Sequence, residues 1–66
     1  MTADMIGMKL RDLRGEKTRK EVASATKITV SALTNYECGI RIPRDEAKVA
    51  LAKYYGVSVD ELFYCP

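Results

Sequence analysis

The stretch Thr18-Arg19-Lys20-Glu21-Val22-Ala23-Ser24-Ala25-Thr26-Lys27-Ile28-Thr29-Val30-Ser31-Ala32-Leu33-Thr34-Asn35-Tyr36-Glu37-Cys38-Gly39 decides the fold. Thr18 and Glu21 have the spacing of a capping box, in which the hydroxyl accepts from the third helical N–H and the carboxylate reaches back to the cap N–H. A helix therefore starts at Arg19, turns Val22 and Ala23 inward and ends near Lys27. Thr29 is a second N-cap, and Ile28 before it pairs with Leu33 as a hydrophobic staple. The next helix runs from Val30 to about Cys38 with Leu33 and Tyr36 inward, and Gly39 ends it because glycine takes a left-handed backbone without a Cβ clash. Two short helices separated only by the turn 27–29 make a helix-turn-helix.

Outward from this motif the same signals continue. Upstream, Ile6, Leu10 and Leu13 place one apolar stripe on a helix from about Met5 to Arg14, capped by Asp4 or Thr2. Downstream, residues 39–44 form a loop containing Pro43. Asp45 and Glu46 suit the first turn of a fourth helix with the stripe Ala47, Leu51 and Tyr55, which Gly56 stops. Ser58 with Glu61 is a capping box and Val57 with Leu62 its staple, so a fifth helix follows. Strand signals are nearly absent. The expectation is a compact, all-α, five-helix single domain over residues 1–66.

Composition narrows the function. Sixty-six residues leave room for one small domain. With 47% hydrophobic and 30% charged residues the chain reads as folded and soluble. Its longest apolar runs, Val49 to Ala52 and Leu62 to Cys65, fall far short of the roughly 20 residues of a membrane helix, and we expect no membrane association and a cytoplasmic location. There is no histidine, which removes the usual general base and most transition-metal sites. Cys38 and Cys65 form no Cys-x-x-Cys pair and cannot by themselves close a zinc site. The expectation is no catalytic residue, no cofactor and no metal.

Charge is partitioned. Residues 9–44 carry nine basic groups (Lys9, Arg11, Arg14, Lys17, Arg19, Lys20, Lys27, Arg41, Arg44) against four acidic ones (Asp12, Glu16, Glu21, Glu37), a balance of +5. Residues 45–66 carry two basic groups (Lys48, Lys53) against four acidic ones (Asp45, Glu46, Asp60, Glu61), and Asp4 completes the net +2. Between Ile28 and Tyr36 there is no charge, so the second helix of the motif is flanked by Arg19 and Lys20 on one side and Arg41 and Arg44 on the other.

The sequence resembles the phage-repressor and Cro-like helix-turn-helix proteins of transcription control. The resemblance rests on Ile6-Gly7, Leu13-Arg14, residues 18–23, residues 28–33, Tyr36-Glu37, Gly39, Arg41, Pro43, Leu51-Ala52-Lys53 and residues 56–63, which cover nearly the whole chain in order. It implies a lambda-repressor-like DNA-binding domain whose third helix reads the major groove while the second crosses the backbone. In that register Val30, Ser31, Thr34 and Asn35 are the base readers. Val packs on a thymine methyl, Ser donates or accepts, and Asn pairs with adenine. Arg19, Lys20, Thr29, Arg41 and Arg44 are the phosphate contacts, which give affinity and register without reading sequence. Arg14 and Glu37 form a structural ion pair between helices 1 and 3. The chain departs from the family at Arg19, where many members carry Gln, at Lys27, where Gly is common in the turn, and at Thr26, which is usually apolar.

A single such module covers few base pairs, so specificity calls for two copies on half-sites about one helical turn apart. The expected partners are a pseudo-palindromic double-stranded operator and a second copy of the chain. Tyr54, Phe63, Tyr64 and Cys65 are the interface candidates, although Tyr55 and Phe63 suit the core better. The leading reading is a sequence-specific repressor of phage or mobile-element type. The alternatives are an antitoxin that binds its operator and a toxin protein, or a protein-interaction module with a vestigial helix-turn-helix.

Overall fold

The computed structural model describes residues 2–64. Four α-helices, α1 (Ala3–Arg14), α2 (Arg19–Thr26), α3 (Val30–Glu37) and α4 (Asp45–Tyr55), are followed by one wide π-type turn, Asp60–Tyr64. No strand occurs among the described residues. Helix α1 packs on α3 and on the terminal turn, while α2 packs on α3 and α4.

Side-chain caps start three of the helices. Met5 N donates to Thr2 Oγ1 at 3.2 Å, so Thr2 is the cap and α1 begins two residues earlier than the apolar stripe suggests. Glu21 N donates to Thr18 Oγ1 at 3.1 Å and Ala32 N to Thr29 Oγ1 at 3.1 Å, fixing the starts of α2 and α3. At the end of α4, Gly56 is left-handed with φ 71°.

The core joins Ile6 and Leu10 of α1, Val22 of α2, Leu33 of α3, Leu51 and Ala52 of α4, and Leu62 and Phe63 of the terminal turn. Leu13, expected in the α1 stripe, is 37% exposed and instead lines a surface groove with Val57 and Leu62. Ser58 Oγ accepts from Glu61 N at 3.0 Å, the hydroxyl half of the expected capping box, yet the turn it starts is wider than an α-helix. More residues per turn reduce the angle between successive side chains, which suits the simultaneous burial of the neighbours Leu62 and Phe63. Phe63, at 2% exposure, is therefore a core residue, which corrects its place among the interface candidates.

Candidate nucleic-acid interface

The site is built from the carboxylate that ends α3. Glu37 is 1% exposed, and a charge so buried persists only when it is paired and hydrogen-bonded. Arg14, in the last turn of α1, meets it through two bonds, Nε to Oε2 at 2.9 Å and Nη2 to Oε1 at 3.0 Å. Its remaining nitrogen, Nη1, donates to Lys17 O at 2.8 Å, so Arg14 is fully engaged. Arg19, the first residue of α2, donates Nε to the same Oε1 at 3.0 Å. Arg11 Nη1 donates to the main-chain carbonyl of Glu37. One acidic residue thereby ties the end of α1, the start of α2 and the end of α3 together. The hydrogen bond to Glu37 raises the Arg14 pKa above its ordinary value, against the lowering by burial. Tyr55, at the end of α4, is pushed up to about 12, first by burial and then by the negative charge of Glu37. No buried side-chain nitrogen or oxygen among the described residues lacks a partner.

Gly7 explains how α1 comes so close. A Cβ at this position would stand 2.5 Å from the carbonyl oxygen of Glu37 and 2.9 Å from that of Tyr36, so only glycine lets the two backbones touch. The same end of α3 is braced a second time: the Asn35 carbonyl accepts from Ile40 N at 2.9 Å and from Arg41 N at 3.3 Å. The loop that follows α3 is thus folded back onto its last turn, with Pro43 buried and Arg41 and Arg44 exposed.

Held in this way, α3 presents a neutral face. Val30 is 43% exposed, Ser31 is exposed, and Thr34 and Asn35 are half-buried. Thr34 Oγ1 donates to Val30 O at 2.9 Å, which leaves its oxygen free to act only as an acceptor toward a ligand. The Thr29 hydroxyl accepts the capping bond and keeps its proton to donate. Lys20, Arg41 and Arg44 are exposed cations, and a groove of about 550 Å³ beside α3 is lined by Lys27, Ile28, Tyr36, Arg41, Ile42 and Arg44.

The turn itself departs from glycine in a definite way. Lys27 adopts a left-handed backbone, φ 61° and ψ 24°, the only non-glycine residue with positive φ among those described. Thr26, at a usually apolar position, has its hydroxyl satisfied: it donates to Val22 O at 2.7 Å and accepts from Ile28 N at 3.4 Å, spanning the turn.

Of the interface candidates, Tyr64 is 58% exposed with its hydroxyl accepting from Lys48 Nζ at 2.9 Å, and Tyr54 is half-buried under the Lys17 ammonium, 4.8 Å from the ring centre. Cys65 lies outside the described residues. Sequence reasoning missed two contributors, Arg11 and the shared role of Arg19. The signal for Arg11 was present, since it stands three positions before Arg14 and so shares its helix face. No group of three acidic or thiol side chains able to hold a metal occurs among the described residues, and none of their helices is long and apolar enough to cross a membrane.

Comparison with known proteins fits this geometry. Residues 6–62 match the model of a helix-turn-helix domain family. Over 60 residues, 88% of the chain, the sequence is 38% identical to the cryptic phage CTXphi transcriptional repressor RstR of Vibrio cholerae, of which the match covers 54%. The chain therefore spans about half the length of that relative. No solved structure matches.

Proposed function

We propose that this chain, which belongs to the phage-repressor and Cro-like family of helix-turn-helix domains, acts as a sequence-specific, double-stranded-DNA-binding repressor of phage type, in the cytoplasm and without catalysis. The observation that carries this reading is the neutral, exposed first turn of α3, with Val30 and Ser31 outward, set between cations on a helix whose inner end is clamped at Glu37. A helix lying in the major groove meets base edges with such residues, and Lys or Arg on either side meets phosphates.

Val30 supplies apolar contact to a thymine methyl, Ser31 a donor or acceptor, Asn35 a bidentate partner for adenine, and Thr34 an acceptor. Arg19, Lys20, the Thr29 hydroxyl, Arg41 and Arg44 bind the backbone. One such module buries little surface, so the active form is a homodimer on a pseudo-palindromic operator. Exposed Tyr64, with Val49 of α4 also exposed and Tyr54 half-buried, supports an interface on the C-terminal half.

Selection of bound sequences from random duplex DNA tests the reading. The expected result is a pseudo-palindrome with half-sites about one helical turn, roughly 34 Å, apart. Replacing Asn35 by Ala is expected to relax one position of each half-site, at a cost of about 1–3 kcal/mol against the preferred base. Absence of any enriched sequence overturns it.

A further inference from the structure

Arg14 and Arg19 share one carboxylate but are used differently. All three nitrogens of Arg14 are engaged inside the protein. Arg19 spends only Nε on Glu37, and neither of its Nη groups makes a hydrogen bond among the described residues. Its side chain is 33% exposed against 19% for Arg14. A guanidinium held at its Nε edge presents the opposite edge, two NH2 groups in one plane, as a fork whose geometry matches two phosphate oxygens. Arg19 also stands at the first position of α2, where the positive end of the helix dipole adds to an anion's attraction.

We propose that Glu37 is a positioning residue for DNA binding: it holds Arg19 by Nε so that the Nη pair forms a pre-set bidentate clamp on one backbone phosphate. This rests on the reading that the chain binds duplex DNA. A free surface arginine loses side-chain freedom on gripping a phosphate, whereas one already fixed by a buried carboxylate has lost that freedom on folding. Glu37 therefore contributes to affinity although it is buried and carries the wrong sign for DNA. Glutamine, the common family residue at this place, offers one amide and no charge, and lysine offers a point charge that cannot hold Glu37 and present a planar fork outward at the same time.

The sign of one effect separates positioning from plain electrostatics. Glu37→Gln raises the net charge by one, so charge alone predicts tighter DNA binding, whereas loss of the Arg19 anchor predicts weaker binding. The experiment measures affinity for a mixed-sequence duplex across a salt series for the wild-type chain, Arg19→Gln, Arg19→Lys, Glu37→Gln and the Arg19→Gln/Glu37→Gln double variant, at a temperature where circular dichroism shows each folded. Arg19→Gln is expected to weaken binding on the order of tenfold near 0.1 M salt and to reduce the salt slope by about one. Arg19→Lys is expected to keep the slope and still lose about fivefold. Glu37→Gln is expected to weaken binding in the wild-type background and to have no further effect once Arg19 is Gln. Tighter binding by Glu37→Gln, or an equal effect in both backgrounds, overturns the proposal. Should Glu37→Gln not fold, Arg19→Lys decides, and wild-type affinity in that variant overturns it. A wild-type chain that leaves duplex DNA unbound overturns the DNA reading itself, and the clamp with it.

Discussion

Two junctions hold this small domain together by different physics. Between α1 and α3 the contact is close and polar: Gly7 lets the backbones touch, and buried Glu37 takes three bonds from Arg14 and Arg19. Around α4 and the terminal turn the packing is apolar, with Leu51, Ala52, Leu62 and Phe63 in the shared core and Lys48 lying over the rings of Phe63 and Tyr64 at 5.7 and 4.8 Å. Apolar burial is non-directional and tolerates small rotations. Hydrogen bonds to a fixed carboxylate do not, since they weaken steeply away from their preferred angles. The directional junction stands where α3 must be held at one angle, and the adaptable one stands away from it.

The largest effect is expected from breaking the polar junction at its centre. Glu37→Ala leaves Arg14 and Arg19 facing each other around an empty site. Loss of one member of a buried ion pair costs about 3–5 kcal/mol, and the partial exposure of both arginines places this case near the lower end. A domain of this length has roughly 3–10 kcal/mol in total, so a variant that melts far below the wild type in thermal and urea melts is the expected outcome. A melting temperature within a few degrees of wild type would mean that the arginines are held by something other than Glu37.

Gly7→Ala attacks the same junction from the backbone side. The added methyl meets a carbonyl at 2.5 Å and neither helix has a flexible side chain to move there, so α1 must shift off α3. Overpacking of this kind costs about 1–3 kcal/mol. Its counterpart in the apolar junction is Lys48→Ala, where a cation over the exposed ring of Tyr64 and that of buried Phe63 contributes about 0.5–1 kcal/mol. Urea melts of the two variants test the comparison directly, and an equal loss in both would erase the distinction between the junctions.

Tyr55 connects the two regions, since it ends α4 yet feels Glu37. Its pKa of about 12 lies above the ordinary value of 10.0, so the folded state keeps the phenol protonated where the unfolded chain ionises. The sign follows: this stabilisation is complete below pH 10, declines as pH rises toward 12 and is gone above it. Tyr55→Phe is expected to flatten the alkaline limb of a stability profile measured by urea melts across that window. An unchanged limb in the variant would assign it to other groups.

How far the sequence was legible follows from the range of each interaction. Caps at Thr18, Thr29 and Ser58 act within three residues, so the starts of α2, α3 and the terminal turn were readable, and the structure has each bond. The face of α3 was readable only through family resemblance, because Ser31, Thr34 and Asn35 would sit as well on any solvated helix. What escaped depends on distant partners. The exposure of Leu13 and the convergence of Arg11, Arg14 and Arg19 on one residue 18–26 positions away are set by how the helices cross. The resemblance supplied Arg14 with Glu37 but not Arg19, because the common glutamine there carries no charge to pair.

The smallest effect expected lies in the turn between α2 and α3, where Lys27 holds a conformation that a Cβ disfavours. A left-handed non-glycine residue costs roughly 1–2 kcal/mol, and a glycine brought in to relieve it costs about 0.5–1 kcal/mol in unfolded-chain entropy. Lys27→Gly should therefore stabilise the domain by about 0.5 kcal/mol. The bonds from Thr26 to Val22 O and from Ile28 N to Thr26 reinforce the turn independently of residue 27, so its geometry should survive the change. Lys27 also lines the groove that carries Arg41 and Arg44, so the variant's salt dependence on duplex DNA is measured beside its melting. A variant that melts higher but binds duplex DNA with a shallower salt dependence would establish an exchange of stability for phosphate contact at Lys27. Higher melting with unchanged binding would make Lys27 a tolerated residue, and the strain in this turn would then serve nothing at the interface.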